Sequence, residues 1–315
     1  MGSDKKIVVT PRSFGKTDPA PGALLEARGY DVVYNPYGRI LTRDEMKTLL
    51  ADADGIIVGV DPLDREVLEA APRLKVISKY GVGTDNIDVA YAEERGIKVT
   101  LAAGSNTEAV ADFAFALMMA VARRVNVIDR ACREGVWKAE AAIDIHGKTL
   151  GLLGLGAIGR AVARRAAGFG MQVIAYDLLR DEAGAAALGI SYRDTVDELL
   201  GEADFVSLHL PLDAKTKGMI GRERFALMRP TAVLVNTARG GLIDEAALLE
   251  ALREGRIWGA GIDVFEQEPP DNPELLALDN LIAGSHCAAS TRGAVSNMGL
   301  IASRNLIEQL EVTVS

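Results

Sequence analysis

The run Gly151-Leu152-Leu153-Gly154-Leu155-Gly156-Ala157-Ile158-Gly159 constrains the fold of this chain more than any other feature. Residues 148–153 read as a buried strand, the glycines as a tight turn, and residues 157–169 carry apolar side chains at helical spacing. Strand, turn and helix in that order predict a dinucleotide site. Gly154 permits the turn, Gly156 lets backbone approach a pyrophosphate, and Gly159 lets helix and strand pack closely, with the helix N-terminus facing the anion. A second strand, 172–176, ends at Asp177, 18 residues after Gly159, where a carboxylate can accept from ribose hydroxyls. That acid favours NAD over NADP, because a 2'-phosphate would meet like charge there, an effect that Arg180 could partly offset. Taken alone, the glycines fit an ordinary turn of an α/β protein; the flanking strands, helix and acid give them a specific meaning.

Strand-like runs alternate with helical segments almost throughout. The runs 7–10, 32–34, 55–58, 74–78 and 97–100 precede the turn, and 205–208, 232–236, 259–264 and 281–283 follow it. Such alternation predicts βα units, parallel sheets and ligands at the carboxyl ends of strands. Because the dinucleotide motif begins only near residue 150, the five-strand segment before it is expected to form its own smaller α/β domain. Ser105-Asn106-Thr107-Glu108 has a capping-box pattern and opens a long helix through about Arg123, the expected crossover, which puts the boundary near residue 102. A last helix, 291 to about 310, could pack back on the first domain and make it discontinuous.

Bulk properties narrow the partners. At 315 residues and 49% hydrophobic content the chain can fill about two domain cores. A net charge of -9, with no Lys/Arg-rich cluster, argues against nonspecific nucleic-acid binding and points to a small-molecule partner. The most apolar stretch, 109–122, contains Asp112 and is too short to span a membrane. Cys132 and Cys287 lie far apart without metal-ligand spacing, so no metal and a reduced, cytoplasmic setting are expected. The opening Met1-Gly2-Ser3-Asp4-Lys5-Lys6 is not followed by the apolar core of a signal peptide.

Only His146, His209 and His286 can exchange a proton near neutral pH as imidazoles. His286 follows a late strand in the small-residue loop Gly284-Ser285-His286-Cys287-Ala288-Ala289; His209 borders the cofactor or packs structurally, and His146 reads as a surface residue. Asp263-Val264-Phe265-Glu266-Gln267-Glu268-Pro269 and Asn236-Thr237-Ala238-Arg239-Gly240 follow two other strands. All three loops should therefore share the sheet edge that holds the cofactor, and an arginine, a carboxylate and a histidine could converge there. Arg239 suits bidentate binding of a 2-oxo acid carboxylate. His286 can give and take the carbonyl proton. Glu268, if it hydrogen-bonds the ring, favours the protonated imidazole and tunes it rather than reacting. A surface ion pair, a solvated charge and a loop histidine are the bland alternatives for the three.

At these residues the chain closely resembles the D-isomer-specific 2-hydroxyacid dehydrogenases, over nearly its whole length. The likeness is carried by Tyr80-Gly81-Val82-Gly83-Thr84-Asp85-Asn86-Ile87-Asp88, Gly154-Leu155-Gly156-Ala157-Ile158-Gly159, Leu208-His209-Leu210-Pro211, Asn236-Thr237-Ala238-Arg239-Gly240, the 263–269 segment and Ser285-His286. It implies two Rossmann-like doubly wound parallel-sheet domains, with 1–101 and 286–315 forming a discontinuous substrate domain and 102–285 the NAD-binding domain. It implies Arg239, Glu268 and His286 as the catalytic set, and cofactor contacts from Ala157, Ile158, Leu210, Thr237, Ala238, Asp263 and Ala288. It also implies substrate contacts from Lys79, Tyr80 and the backbone amides of Val82 and Gly83, and a homodimer formed through the long helix and the segment near Trp137. Within the family the first half looks most like D-3-phosphoglycerate dehydrogenases: Lys79 stands where those often carry an arginine for the substrate's anionic tail, and Arg12 and Lys16 could add charge. Gly59-Val60 replaces a common arginine-serine pair, Cys287 replaces the usual aliphatic residue, and serine feedback through a C-terminal regulatory domain is not expected. Glycerate, glyoxylate and lactate chemistry therefore stay open, as does a non-enzymatic NAD-sensing corepressor role, since some relatives serve in that way. Formate dehydrogenase is disfavoured, because those relatives place glutamine where Glu268 stands.

Overall fold

A computed structural model describes residues 5–312, so the first four residues of the chain lie outside it. The chain divides into two compact units: unit 2 is Thr107–Ala289, and unit 1 takes the residues up to Asn106 and resumes at Ser290. The sequence expectation instead put the divisions at 101/102 and 285/286. His286 and Ala288 stay with unit 2 because the 286–288 backbone is pinned to Asp263 of that unit: the His286 amide donates to the Asp263 carbonyl at 2.7 Å, and the Ala288 amide to Asp263 Oδ2 at 2.9 Å.

Unit 1 is built on a five-stranded parallel sheet of order β2-β1-β3-β4-β5, where β1 is Lys6–Val9, β2 Asp31–Tyr34, β3 Gly55–Val58, β4 Val76–Lys79 and β5 Lys98–Leu101. The central β3 and β4 are buried at every position, as strands covered on both faces must be. One layer of core comes from Met46, Leu50, Ile56, Val58, Leu63, Leu68 and Ile77. The other face carries the Arg292–Val312 helix: Ser78 Oγ donates to the Ala302 carbonyl at 2.8 Å and Tyr80 Oη to the Val295 carbonyl at 2.9 Å. The last helix therefore does return to the first sheet, and unit 1 is discontinuous in sequence.

Unit 2 carries a seven-stranded parallel sheet of order β12-β11-β10-β9-β6-β7-β8. Its strands are β6 Thr149–Leu153, β7 Gln172–Tyr176, β8 Ile190–Tyr192, β9 Phe205–Leu208, β10 Val233–Asn236, β11 Gly259–Ile262 and β12 Leu281–Ala283. Alternate residues feed two cores: Leu153, Leu208 and Leu234 point into one, Leu152, Val233 and Val235 into the other. Such two-sided burial explains why these strands read as continuous apolar runs rather than alternating ones. The order reverses at the β6/β9 pair, the switch point where open α/β sheets bind ligands.

The expected strands are present with ends moved by a few residues. β8 has no counterpart among them: it is a three-residue edge strand, Ile-Ser-Tyr, too short and too polar to register as an apolar run. The capping box at Ser105 does not form as written. Ser105 Oγ donates to the Ala102 carbonyl at 2.6 Å, the helix is Thr107–Ala122, and Glu108 pairs with Arg164 and Arg165 on the next helix over.

Candidate active site and dinucleotide turn

β6 runs into Gly154, whose φ of +100° lies in the region that favours glycine. A side chain there would also sit 2.6 Å from the His209 carbonyl oxygen, so the β6 and β9 ends approach each other closely. At Gly159 a Cβ would lie 2.3 Å from the Gly154 carbonyl oxygen, whereas at Gly156 it would meet nothing within 4 Å. Gly154 and Gly159 are thus required by the protein's own packing, and Gly156 faces open space. Gly156 is the N-cap of the 12-residue Ala157–Gly168 helix and offers no side-chain cap, leaving the first helical amides for an outside acceptor. Ala157 and Gly156 are exposed, Ile158 half-buried.

Asp177 does something the sequence did not signal. Its Oδ2 accepts from the Leu155 amide at 2.8 Å and its Oδ1 from the Leu179 amide at 2.9 Å, so it ties the glycine turn to the end of β7. Arg180, the possible counter-charge, is engaged elsewhere: it donates to Asp194 Oδ1 at 2.9 Å. Across the switch point, His209 Nε2 lies 2.9 Å from Ser207 Oγ, and burial pushes its imidazole down to about 4. A neutral ring packed behind the turn suits a structural role for His209.

The three later loops meet as follows. Buried Asn236, the last residue of β10, folds its own loop: its Oδ1 accepts from the Ala238 amide at 3.0 Å and its Nδ2 donates to the Arg239 carbonyl at 2.8 Å. A Cβ on Gly240 would fall 1.9 Å from the Phe265 carbonyl carbon, so this loop lies backbone-to-backbone against the one after β11. That contact brings Arg239 beside Glu268. Glu268 Oε1 accepts from the Phe265 amide at 3.2 Å, and its Oε2 lies 2.8 Å from His286 Nδ1. Burial pushes the Glu268 carboxyl up, but the His286 hydrogen bond and charge, the Phe265 amide and the Arg239 charge outweigh it and hold the group below its ordinary range. Asp263, 1% exposed, is the hub beneath: Oδ1 accepts from the Cys287 amide at 3.0 Å and Oδ2 from the Ala288 amide at 2.9 Å. The loop it fixes puts His286 at φ +55°, uncommon for a residue with a side chain.

Fit to a dinucleotide can be tested on these residues. Thr237 Oγ1 is buried and is the one such side-chain atom, among the described residues, without a hydrogen-bond partner. It stands directly after β10, at the same sheet edge as the turn, and would gain its partner from a bound group. With the open face of Gly156 and the uncapped helix, the residues fit a pyrophosphate-bearing cofactor. Leu210 also lies at the turn, 3.2 Å from a Cβ built on Gly154, and Ala238 is half-buried in the Arg239 loop.

In unit 1, Lys79 ends β4 and is 5% exposed; its Nζ donates to the Gly59 carbonyl at 2.5 Å and to Asn86 Oδ1 at 2.7 Å. Tyr80 is likewise held inside the unit by Val295, while Val82 is 40% exposed and Gly83 half-buried in the loop that follows. Among the described residues no helix is long and apolar enough to cross a membrane.

Comparison with known proteins agrees with this geometry. The family signature "D-isomer specific 2-hydroxyacid dehydrogenase, NAD binding domain" matches residues 115–288, a span holding the glycine turn, Arg239, Glu268 and His286. A glyoxylate reductase of Korarchaeum cryptofilum is 50% identical over 265 residues, covering 81% of this chain and 79% of that protein. A D-3-phosphoglycerate dehydrogenase of Methanocaldococcus jannaschii is 45% identical over 269 residues, covering 84% of this chain and 51% of that longer protein. A crystal structure of a Thermus thermophilus protein superposes with a TM-score of 0.88 at 40% identity, over 98% of this chain and 97% of the other. The dinucleotide turn, the loop set at its sheet edge and these likenesses converge: the chain belongs to the D-isomer-specific 2-hydroxyacid dehydrogenase family and is an NAD-dependent oxidoreductase.

Proposed function

We propose that the chain reduces a small, unphosphorylated 2-oxo acid of the glyoxylate and hydroxypyruvate class to the D-2-hydroxy acid, with Arg239, Glu268 and His286 as the catalytic set. The observation that carries it is the 2.8 Å contact between His286 Nδ1 and Glu268 Oε2 on loops packed against that of Arg239. With Nδ1 held by the carboxylate, Nε2 is the nitrogen that gives its proton to the substrate carbonyl oxygen and recovers it in the reverse direction. Arg239 pairs with the substrate carboxylate and polarises the adjacent carbonyl, a planar two-donor task that a lysine would do less well. Bound NADH supplies the hydride. Glu268 keeps the ring's tautomer and stabilises the charge on it. Asp177 disfavours a 2'-phosphate, which supports NAD over NADP.

Two observations favour an unphosphorylated substrate. Lys79, the candidate cation for an anionic tail, is buried and occupied by Gly59 and Asn86, and the strongly similar Korarchaeum protein is a glyoxylate reductase. Steady-state kcat/KM for glyoxylate, hydroxypyruvate, pyruvate and phosphohydroxypyruvate with NADH and NADPH tests this. Glyoxylate or hydroxypyruvate should lead phosphohydroxypyruvate by at least about tenfold, worth about 1.4 kcal/mol in the barrier. A preference for the phosphorylated acid overturns the substrate class. No NADH oxidation with any of the four, and no effect of His286→Ala, overturns the catalytic assignment.

The same reading includes a cytoplasmic homodimer. In unit 2, Trp137 is 93% exposed, and Val136, Val125 and Met119 are exposed as well, apolar area that a partner would cover. Light scattering should return twice the 33.5 kDa chain mass, and Trp137→Glu should shift it toward the monomer.

A further inference from the structure

The corner of unit 2 beyond β7 holds three guanidinium groups, and each is paired with a carboxylate. Arg160 meets Asp181 at 2.9 Å, Arg193 meets Glu202 at 2.6 Å, and Arg180 meets Asp194 at 2.9 Å. Arg180 has two holds besides its carboxylate. The same Nη2 donates to the Arg193 carbonyl at 2.9 Å, and the guanidinium carbon lies 5.4 Å from the centre of the Tyr192 ring. Strand register explains the pairing. Ala175 of β7 lies opposite Tyr192 of β8, and the Arg193 amide donates to the Ala175 carbonyl at 2.8 Å. Arg193 and Asp194 therefore leave β8 beside the point where Asp177 leaves β7.

We propose that Asp194 is a specificity-determining residue for the nucleotide: by pairing with Arg180 it withdraws the cation that would otherwise offset Asp177 and accept a 2'-phosphate. The proposal rests on the cofactor reading above and extends it from an acid that repels to a basic group that is kept away. Asp194 is 82% exposed at its side chain, and an exposed ion pair alone is a weak tether. The hold comes from what Arg180 would leave behind. Moving toward a 2'-phosphate gives up the Arg193 carbonyl and the Tyr192 ring, and it strands the Asp194 charge near a dianion that already faces Asp177. Those losses offset the charge-assisted bond that the phosphate would gain. A 2'-hydroxyl asks for no such rearrangement, so NAD binding is indifferent to Asp194.

Calorimetric Kd values for NAD+ and NADP+, on the full chain without substrate, test this independently of turnover. The set is wild type, Asp194→Asn, Asp177→Asn, the Asp177→Asn/Asp194→Asn double variant, and each with Arg180→Ala added. Asp194→Asn should tighten NADP+ about tenfold in both Asp177 backgrounds, leave NAD+ within about twofold, and lose that gain when Arg180→Ala is added; a tenfold change is about 1.4 kcal/mol. An NADP+ affinity unmoved by Asp194→Asn in both backgrounds overturns the proposal. So does an equal gain without Arg180, which would reflect net charge alone. If wild type binds NAD+ and either of these results appears, only the proposal falls; if wild type binds neither nucleotide, the cofactor reading falls with it.

Discussion

Adding one methyl group at Gly156 or at Gly159 separates what the dinucleotide turn does for the fold from what it does for the ligand. At Gly159 the new Cβ would stand 2.3 Å from the Gly154 carbonyl oxygen and 3.2 Å from its carbon, both backbone atoms that cannot swing aside. Helix and strand must separate by about 1 Å, an overpacking cost of roughly 1–3 kcal/mol or more. For a unit of this size that lowers Tm by about 2–10 °C. At Gly156 the Cβ meets nothing, and φ of -73° suits alanine. Reduced chain entropy of the unfolded state contributes about 0.4–1 kcal/mol in favour of Gly156→Ala, and the poorer N-cap costs a similar amount, so Tm should move by less than about 2 °C. Affinity should behave oppositely. The methyl at position 156 stands where a pyrophosphate must approach, and losing one charge-assisted amide contact of about 1.5–3 kcal/mol weakens NAD+ roughly 10–100-fold. Thermal unfolding paired with calorimetric titration reads both quantities on one sample. A Gly156→Ala chain with unchanged Tm and an NAD+ Kd within twofold of wild type would refute the placement of the pyrophosphate at this turn.

Three further outcomes follow from the loop set and its surroundings. Glu268→Gln keeps the shape but removes the charge beside His286, and should cut kcat/KM about 10–100-fold while NADH Kd stays constant; an unchanged kcat/KM would remove Glu268 from the machinery. Arg239→Lys keeps the charge but loses the two-donor fork, so kcat/KM for glyoxylate should fall about 100-fold, with full activity as the contrary result. His209 is pushed down to about 4 from 6.5, so the folded chain resists its protonation, and the associated stability is lost as pH falls from 6.5 toward 4. Linkage over that window puts about 2 kcal/mol of the loss between pH 7 and pH 5, and urea unfolding of His209→Asn should show a pH difference smaller by about that amount. Equal pH slopes for the two chains would mean that the ring titrates normally.

How much of this could be read in the sequence depends on where each constraint is written. The glycine turn was legible because its determinants are local: a buried strand, small residues at fixed spacing and a helix that follows. That the loops carrying Arg239, Glu268 and His286 share one sheet edge was legible because each trails an apolar run, and parallel topology sends all such ends to one edge. β8 was not: β12 is an edge strand of the same length but is wholly apolar, Leu-Ile-Ala, whereas Ile-Ser-Tyr of β8 carries a polar residue mid-strand and leaves no apolar run. The roles of Asp177 and Asp263 as backbone clamps were not legible either. Both acids were read as ligand contacts, yet each also spends its oxygens on amides, Leu155 and Leu179 for one, Cys287 and Ala288 for the other. Leu179 is two residues from Asp177, but the other three partners lie 22 to 25 residues away, and such pairings leave no local signature.

The Asp263 clamp bears on why an exposed loop can carry a histidine that must be placed accurately. A site residue on a surface loop loses precision unless its backbone is fixed from below. Gly284 is what admits the clamp: a Cβ there would lie 2.2 Å from Asp263 Oδ1, so any larger residue would drive the carboxylate away from the Cys287 and Ala288 amides. With the carboxylate seated, the Asp263 carbonyl also takes the His286 amide at 2.7 Å, and the residue is held at φ +55° despite the cost of that conformation, of order 1–3 kcal/mol. From there the ring reaches Glu268 without further adjustment. The histidine is therefore oriented twice, by its own backbone from Asp263 and by its ring from Glu268, and the two acids come from the same short segment after β11. That arrangement explains why a single strand-to-loop stretch, 263–268, supplies no proton of its own in the proposed reaction yet determines where the proton donor stands.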